Sequence, residues 1–502
     1  MTLEWVEHGC MRENCTIIQG GMGVGVSNWK LARAVSEAGQ LGVVSGTALD
    51  QVLARRLQDG DADGEMRRAL AAFPLRAMAE RVLAKFFLEG GRGAGAAYKT
   101  IASHGKETPR EVVELCVVGN FVEVWLARQG HGNAVGINYL EKIQAALLPS
   151  TYGAMLAGVD FVLMGAGIPL KYPGVLDSLA EQKAVSYNLH VTGATENDDT
   201  ALRFDPADFA EGQTAQLKRP KFLAIVSSNA LATTMVKKAN GRVDGLVIEM
   251  RTAGGHNAPP RGRMQLSESG EPVYGERDAV DVAKLKELGV PFWLAGGYGH
   301  AEKLREALAL GAAGVQVGTA FEFADESGLR EDYKQALLQK VVAQTARVFT
   351  DPLASPTGFP FKVAQLEGTA SEAEVYAERP RICNLGFLRE SYRTEAGEIG
   401  YRCPAEPLTL YASKGGKAED AEGRKCICNA LLANVGLAQM LPGRRVEPGM
   451  VTAGDDLGTI AEFLGEGATS YSARDVIAAI AQGERGSDEE AAPDAVLSGA
   501  GS

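Results

Sequence analysis

The stretch PFWLAGGYGHAEKLREALALGAAGVQVGTAF, residues 291–321, decides the fold. It opens with a short apolar run that stops at Ala295-Gly296-Gly297-Tyr298-Gly299. An amphipathic segment of helical period follows, and a second apolar run ends at Gly318-Thr319. That succession is a βαβ unit, in which a helix carries the chain back to start a parallel strand. Glycines at the C-terminal ends of two consecutive strands let backbone N–H groups approach a phosphate, and the N-terminus of a following helix adds a favourable dipole. Two tight βα turns without a ligand would show the same glycines. The pairing of the signals favours the phosphate.

Outward from this unit the pattern repeats. Strands are expected at 16–19, 41–45, 134–138, 160–164, 222–226, 245–249, 292–295 and 314–317. They are rich in Val, Ile and Leu without strict alternation, as suits strands buried on both faces. Amphipathic stretches at 28–38, 229–239, 279–288 and 301–310 lie between them. Eight such units point to α/β architecture, a closed (β/α)₈ TIM barrel. An open doubly wound sheet is the alternative. The unit at 291–321 then supplies strands seven and eight, whose loops form the usual phosphate site of a barrel. Residues 48–131 and 184–218 are too long for simple crossovers and read as insertions, the first mostly helical. After Phe323 the rhythm stops. Residues 1–323 are assigned to the barrel and 324–482 to a mostly helical C-terminal extension, with helices expected at 329–348 and 473–481. The small, acidic residues 483–502 read as a disordered tail.

The 502 residues suffice for a large core, and 23% charged residues is ordinary for a globular enzyme. A net charge of −12 with no basic patch opposes nucleic-acid binding. No apolar run approaches the length of a membrane helix, and the opening MTLEWVEHGC lacks the pattern of a secretory signal. Seven cysteines, an odd number in a long chain, do not resemble a secreted disulfide framework. A reducing cytoplasm is expected, with a small-molecule substrate as partner and a homo-oligomer as one possibility.

Three further elements carry chemistry. The segment 247–262, VIEMRTAGGHNAPPRG, runs from a strand into a proline-bearing loop. His256, just beyond a barrel strand, is placed to move a proton near neutral pH, and Gly254 and Gly255 leave room for a flat ring against the backbone. A loop histidine that merely satisfies hydrogen bonds is the alternative. The segment 17–27, IIQGGMGVGVS, ends the first strand, with Ser27 or Asn28 as N-cap of the first helix. Finally, Cys383, Cys403, Cys426 and Cys428 fall in the extension, where four thiolates would bind zinc or an iron–sulfur cluster. Their spacing fits no standard motif, and buried free thiols are the plainer reading.

Taken together, IIQGGMGVGVSNWKLARAVSEAGQLGVVSG, AVGIN, TAGGH and LAGGYGHAEKLREALALGAAGVQVGTAF resemble the nitronate monooxygenase (2-nitropropane dioxygenase) family and the related FMN-dependent enoyl reductases. The resemblance runs from about Thr16 to Phe321. It implies FMN as cofactor. Gly21, Met22 and Gly23 would back the ring, and Asn138 would bond to it or to the ribityl chain. Ala295, Gly296, Gly297, Gly318 and Thr319 would cradle the phosphate, and His256 would be the catalytic acid/base. The family often carries Gln before its histidine motif and Glu just ahead of Ala-Gly-Gly-His, where this chain has Glu249 and Thr252. Glu249 remains able to accept a hydrogen bond from the flavin. The activity implied is oxidation of alkyl nitronates or similar carbanions with O₂. The alternatives are NAD(P)H-dependent reduction of an enoyl thioester, with an acyl carrier protein as partner, and a non-catalytic flavin-binding subunit.

Overall fold

The computed structural model describes residues 15–209 and 215–489. Eight parallel strands form its central sheet: β1 (Ile17–Gln19), β2 (Gly42–Ser45), β3 (Val135–Leu140), β4 (Phe161–Gly165), β5 (Lys221–Val226), β6 (Gly245–Glu249), β7 (Phe292–Ala295) and β8 (Gly314–Val317). Each pairs with its neighbours in chain order, and β8 pairs with β1 through Ile17↔Val315 and Gln19↔Val317. The remaining edges meet between β1 and β2. Ile18 bridges Leu41, Gln19 N–H donates to the Leu41 carbonyl at 2.9 Å, and Leu41 N–H donates to the Ile17 carbonyl at 3.1 Å. The sheet is therefore a closed barrel, and the open-sheet alternative falls.

Alternation along the strands separates two cores. Leu41, Val43, Phe161, Leu163, Leu223, Val247 and Trp293 pack together inside the barrel, while Val162, Met164, Leu246 and Ile248 from the same strands join the larger core under the helices. Both faces are apolar, which is why the sequence shows runs rather than alternation. The next inward residue beyond this plug is polar on three strands: Asn138, Glu249 and Gln316. They lie at the C-terminal mouth, two residues beyond Gly136, Val247 and Gly314.

The first helix, Trp29–Glu37, is capped by the Asn28 side chain, which accepts from Leu31 N–H. The helix expected over 279–288 shortens to Val282–Lys286, because the Asp281 carboxylate takes the N–H groups of Ala283 and Lys284 and sets a later start. The helix expected over 329–348 is Glu331–Val342. Gln344 adopts a left-handed backbone (φ 56°), and the chain re-emerges as the strand Val348–Asp351. The final helix begins at Ala473 as expected and continues to Glu489, into the stretch read as a tail; 490–502 lie outside the described residues.

The insertion at 48–131 is helical, with segments Leu49–Gln58, Glu65–Ala72, Arg76–Phe86 and Arg110–Ala127. The insertion at 184–218 holds a strand pair, Val185–Asn188 with Ala201–Phe204, and its Val191–Thr192 pairs with Glu390–Arg393 of the extension. Strands also tie the extension to the barrel mouth. Phe361–Ala364 pairs with Gly255–His256, placing Phe361 opposite His256 and Lys362 opposite Gly255. Buried Lys362 donates to the Arg251 carbonyl at 2.9 Å and to Asp455 at 2.5 Å. Asp455 N–H reaches Thr252 O at 2.9 Å, and Gly454 N–H reaches Thr319 Oγ1 at 3.0 Å. Among the described residues, no helix is long and apolar enough to cross a membrane.

Candidate active site

One cavity of about 600 Å³ opens at the C-terminal mouth of the barrel. Every barrel residue singled out from the sequence lines it, from Gly21, Met22 and Gly23 through Asn138, Glu249, Gly254, Gly255 and His256 to Ala295, Gly296, Gly297, Gly318 and Thr319. A barrel makes this convergence general, since loops far apart in sequence leave the same end of the sheet.

The floor is polar and incompletely bonded. The side-chain oxygens Asn138 Oδ1 and Gln316 Oε1 are buried with no hydrogen-bond partner. Beside them, burial pushes the Glu249 carboxyl up to about 7, so a large share is protonated at neutral pH and available as a donor. The 20–27 turn is held by Ser27, whose Oγ accepts Met22 N–H at 2.8 Å and donates to Gly20 O at 2.8 Å. Gly21 presses on Asn138: a Cβ there would stand 2.3 Å from the Asn138 Cβ.

The opposite end carries the glycine cradle. Gly296 and Gly297 adopt φ of 90° and 74°, which turns their backbone between Thr252 and the cavity. Two carboxyl groups that the sequence reading missed stand here. Asp456 lines the cavity and bonds to Thr319, and Glu322 accepts from Thr452 Oγ1 at 3.4 Å. Burial raises both, Glu322 to about 8, the direction in which a carboxyl becomes a neutral donor instead of a repelling anion.

His256 stands on the wall. Its ring meets Phe361 edge-on at 4.8 Å between centroids, and Nε2 shares a 2.7 Å hydrogen bond with Ser355 Oγ. Burial, and then the nearby charge of Lys142, push its pKa down to about 3, so the imidazole is neutral across the physiological range. Burial lowers Lys142 to about 7 against the opposing charge of Glu141. The outer wall is apolar and largely built by the extension, with Phe359, Phe387, Leu388, Ile427 and Leu431.

The cysteines do not form the expected centre. Cys383, Cys403 and Cys426 pack around Ala405, whereas Cys428 lines the cavity and takes the backbone N–H groups of Phe387 and Leu388. Cys426 occupies the N-cap position of the helix Ile427–Ala433, and Cys428 lies in its first turn. The hydrogen bond between Cys383 and Cys403 lowers the first thiol and, with burial, raises the second, while burial raises Cys426 and Cys428; three of the four are thus shifted away from the thiolate form a metal needs. Among the described residues, no group of three or more His, Cys, Asp or Glu side chains is arranged to hold a metal ion. The zinc or iron–sulfur expectation is withdrawn.

The residues present fit the FMN that the resemblance implies. Orphaned amide oxygens on the floor suit the donors of a ring edge or ribityl chain, and the glycine end leaves backbone free to approach a phosphate. The raised carboxyl groups beside that end remove the main electrostatic objection to an anion.

The chain is similar in part to known proteins. The family model "Nitronate monooxygenase" matches residues 173–353, which covers the second half of the barrel and the start of the extension. The "Probable nitronate monooxygenase" of Staphylococcus saprophyticus is 28% identical over 188 residues, 37% of this chain and 49% of that one. Its Bacillus subtilis counterpart is 31% identical over 135 residues, covering 27% and 37%. The nitronate monooxygenase of Pseudomonas aeruginosa is 28% identical over 191 residues, covering 38% and 48%. The chain thus spans about half the length, or less, of the curated relatives it matches. Among solved structures, FabK from Thermotoga maritima aligns with a TM-score of 0.47 at 17% identity, over 95% of this chain and 94% of that one. Nitroalkane oxidase from Streptomyces ansochromogenes aligns at 0.44 and 16%, over 94% and 96%. The barrel itself is established by the strand register. Over residues 173–353, the chain carries the sequence pattern of the nitronate monooxygenase family.

Proposed function

We propose that the protein is an FMN-dependent oxidoreductase that oxidises alkyl nitronates or similar carbanions, with His256 as its proton-transfer group. The observation that carries this reading is the meeting, in one cavity, of a neutral, half-buried imidazole, a floor of unsatisfied amide oxygens and a glycine cradle. Gly21, Met22, Gly23, Gly254 and Gly255 would lie against the ring, Asn138 and Glu249 would bond to its polar edge, and Ala295, Gly296, Gly297, Gly318 and Thr319 would hold the phosphate. Bound FMN supplies the electron-transfer chemistry. The chain's own part is to orient the substrate, exclude water behind the apolar outer wall, and, when the substrate arrives as the neutral nitroalkane, take its α-proton at His256 to give the nitronate. At neutral pH the His256 ring is uncharged, so one of its nitrogens is a hydrogen-bond acceptor.

The same apolar wall favours one second reading, reduction of an enoyl thioester by NAD(P)H, since Phe359, Phe387, Leu388 and Leu431 would suit an acyl chain. An acyl carrier protein would then be the partner. The absorbance spectrum of the purified protein, followed by anaerobic mixing with a nitronate and separately with NADPH or NADH, decides between them. Flavin bands that bleach with the nitronate alone support the first reading. Bleaching with the nicotinamide alone moves the assignment to the reductase, and a protein that neither shows nor takes up flavin overturns both. His256→Asn is expected to retain flavin while turnover falls by roughly 10²-fold or more.

A further inference from the structure

His256 is the end of a hydrogen-bonded chain that crosses the wall of the cavity. Its Nε2 is 2.7 Å from Ser355 Oγ, Ser355 Oγ is 2.8 Å from Thr357 Oγ1, and Lys142 Nζ donates to Thr357 Oγ1 at 3.3 Å. The members come from three places: the loop after β6, the loop after β3, and the extension between Val348–Asp351 and Phe361–Ala364. Ser355 is fully buried, and Arg424 pins its loop by donating to the Leu353 carbonyl at 2.8 Å and the Ser355 carbonyl at 2.7 Å. Lys142 lies over the Phe359 ring, 2.7 Å from its centroid, and has no carboxylate at ion-pair distance among the described residues. The neighbouring Glu141 is engaged by Gln144 and Tyr187.

We propose that Ser355, Thr357 and Lys142 form a proton relay that serves His256, so that the imidazole changes tautomer during turnover instead of becoming a cation. The relay rests on the reading of His256 as the proton-transfer group. His256 lines the cavity, and no described residue bonds to its Nδ1, which leaves that nitrogen for the substrate. The substrate C–H bond breaks as its proton joins Nδ1, and the electron pair stays on the substrate, delocalised as the nitronate. With Lys142 as the free amine, its lone pair accepts from the Thr357 hydroxyl; the Nε2–H proton then passes to Ser355 Oγ, the Ser355 proton to Thr357 Oγ1, and the Thr357 proton to Nζ. The net change is neutral acid plus amine to nitronate plus ammonium. Serine and threonine hydroxyls suit the middle positions because each donates one hydrogen bond while accepting another. The ionisable groups acting on the chain are Glu141 on Lys142, and Lys142 on His256; burial leaves a substantial fraction of Lys142 as free amine near neutral pH.

The test uses protein carrying ¹⁵N-histidine, in which His256→Asn identifies one resonance set among the six histidines. Ser355→Ala is expected to change the tautomer ratio of His256, and Ser355→Thr to restore it. Lys142→Met is expected to raise the His256 titration by removing a neighbouring positive charge. Lys142→Arg keeps that charge but cannot accept a proton, so it should leave the titration low. Loss of deuterium from α-deuterated nitroethane under anaerobic conditions reports the proton step itself. It should slow at least 10-fold in Lys142→Met, Lys142→Arg and Ser355→Ala, and recover in Ser355→Thr. A Lys142→Arg protein that exchanges deuterium at the parent rate, or a His256 tautomer indifferent to Ser355→Ala, overturns the relay. If the NMR responses appear but the parent protein leaves nitroethane untouched, the substrate reading fails and the relay stands.

Discussion

Glu249 is a carboxyl group placed where the barrel interior meets the cavity, and its folded-state pKa of about 7 lies above the ordinary glutamate value of 4.5. The sign follows from proton linkage. Below pH 4.5 folded and unfolded chains both hold the proton, and the group contributes nothing. Between 4.5 and 7 the unfolded chain releases it while the folded chain keeps it, so stability falls as pH rises; above 7 the loss is complete. A shift from 4.5 to about 7, at roughly 1.4 kcal/mol per unit, makes that loss about 3.5 kcal/mol at most, and water in the cavity reduces it. Glu249→Gln removes the titration while keeping size and hydrogen-bonding capacity. Urea unfolding of parent and variant at about pH 4.5 and about pH 8 measures the difference directly. The variant should gain about 1–3 kcal/mol over the parent at about pH 8 relative to about pH 4.5. An equal difference at both pH values refutes the reasoning and means that Glu249 ionises freely in the folded protein.

Other outcomes follow from single contacts. Gly21→Ala places a Cβ 2.3 Å from the Asn138 Cβ, so it should cost about 1–3 kcal/mol in denaturant unfolding and weaken FMN retention on gel filtration. Lys362→Met removes the bonds to Asp455 and the Arg251 carbonyl, and should cost about 1.5–3 kcal/mol and speed proteolysis of the 452–456 loop. Since the cysteines form no ligand set, incubation with a chelator should leave the melting temperature unchanged, and elemental analysis should find no stoichiometric zinc or iron.

The eight strands are legible in the sequence because the signals are local. A strand buried on both faces must be a short apolar run, and a turn that brings backbone close to a ligand or to another strand selects glycine. Hence Ala295 to Gly297, Gly318 and the 17–27 turn stand out from residue type and spacing alone, and so does His256 beside its paired glycines. Gln316 lies inside the decisive stretch 291–321 yet carries no such signal, because its place in the floor depends on how the closed sheet turns each strand. The extension shows the limit more sharply. Ser355 and Thr357 come behind His256, and Asp456 reaches the cavity, only because Phe361–Ala364 adds to Gly255–His256 and the 452–456 loop bonds to Thr252 and Thr319. Lys142 becomes a partner of His256 through hydroxyls more than 200 residues further along the chain. The cysteines err in the other direction: Cys426 and Cys428 are close in sequence, yet Cys426 packs with Cys383 and Cys403 around Ala405 while Cys428 lines the cavity. Local patterning determined which segments are strands and where the barrel mouth would be. Which side chains meet there was decided by ring closure and by the docking of the extension, since contacts across such distances leave no period in the sequence.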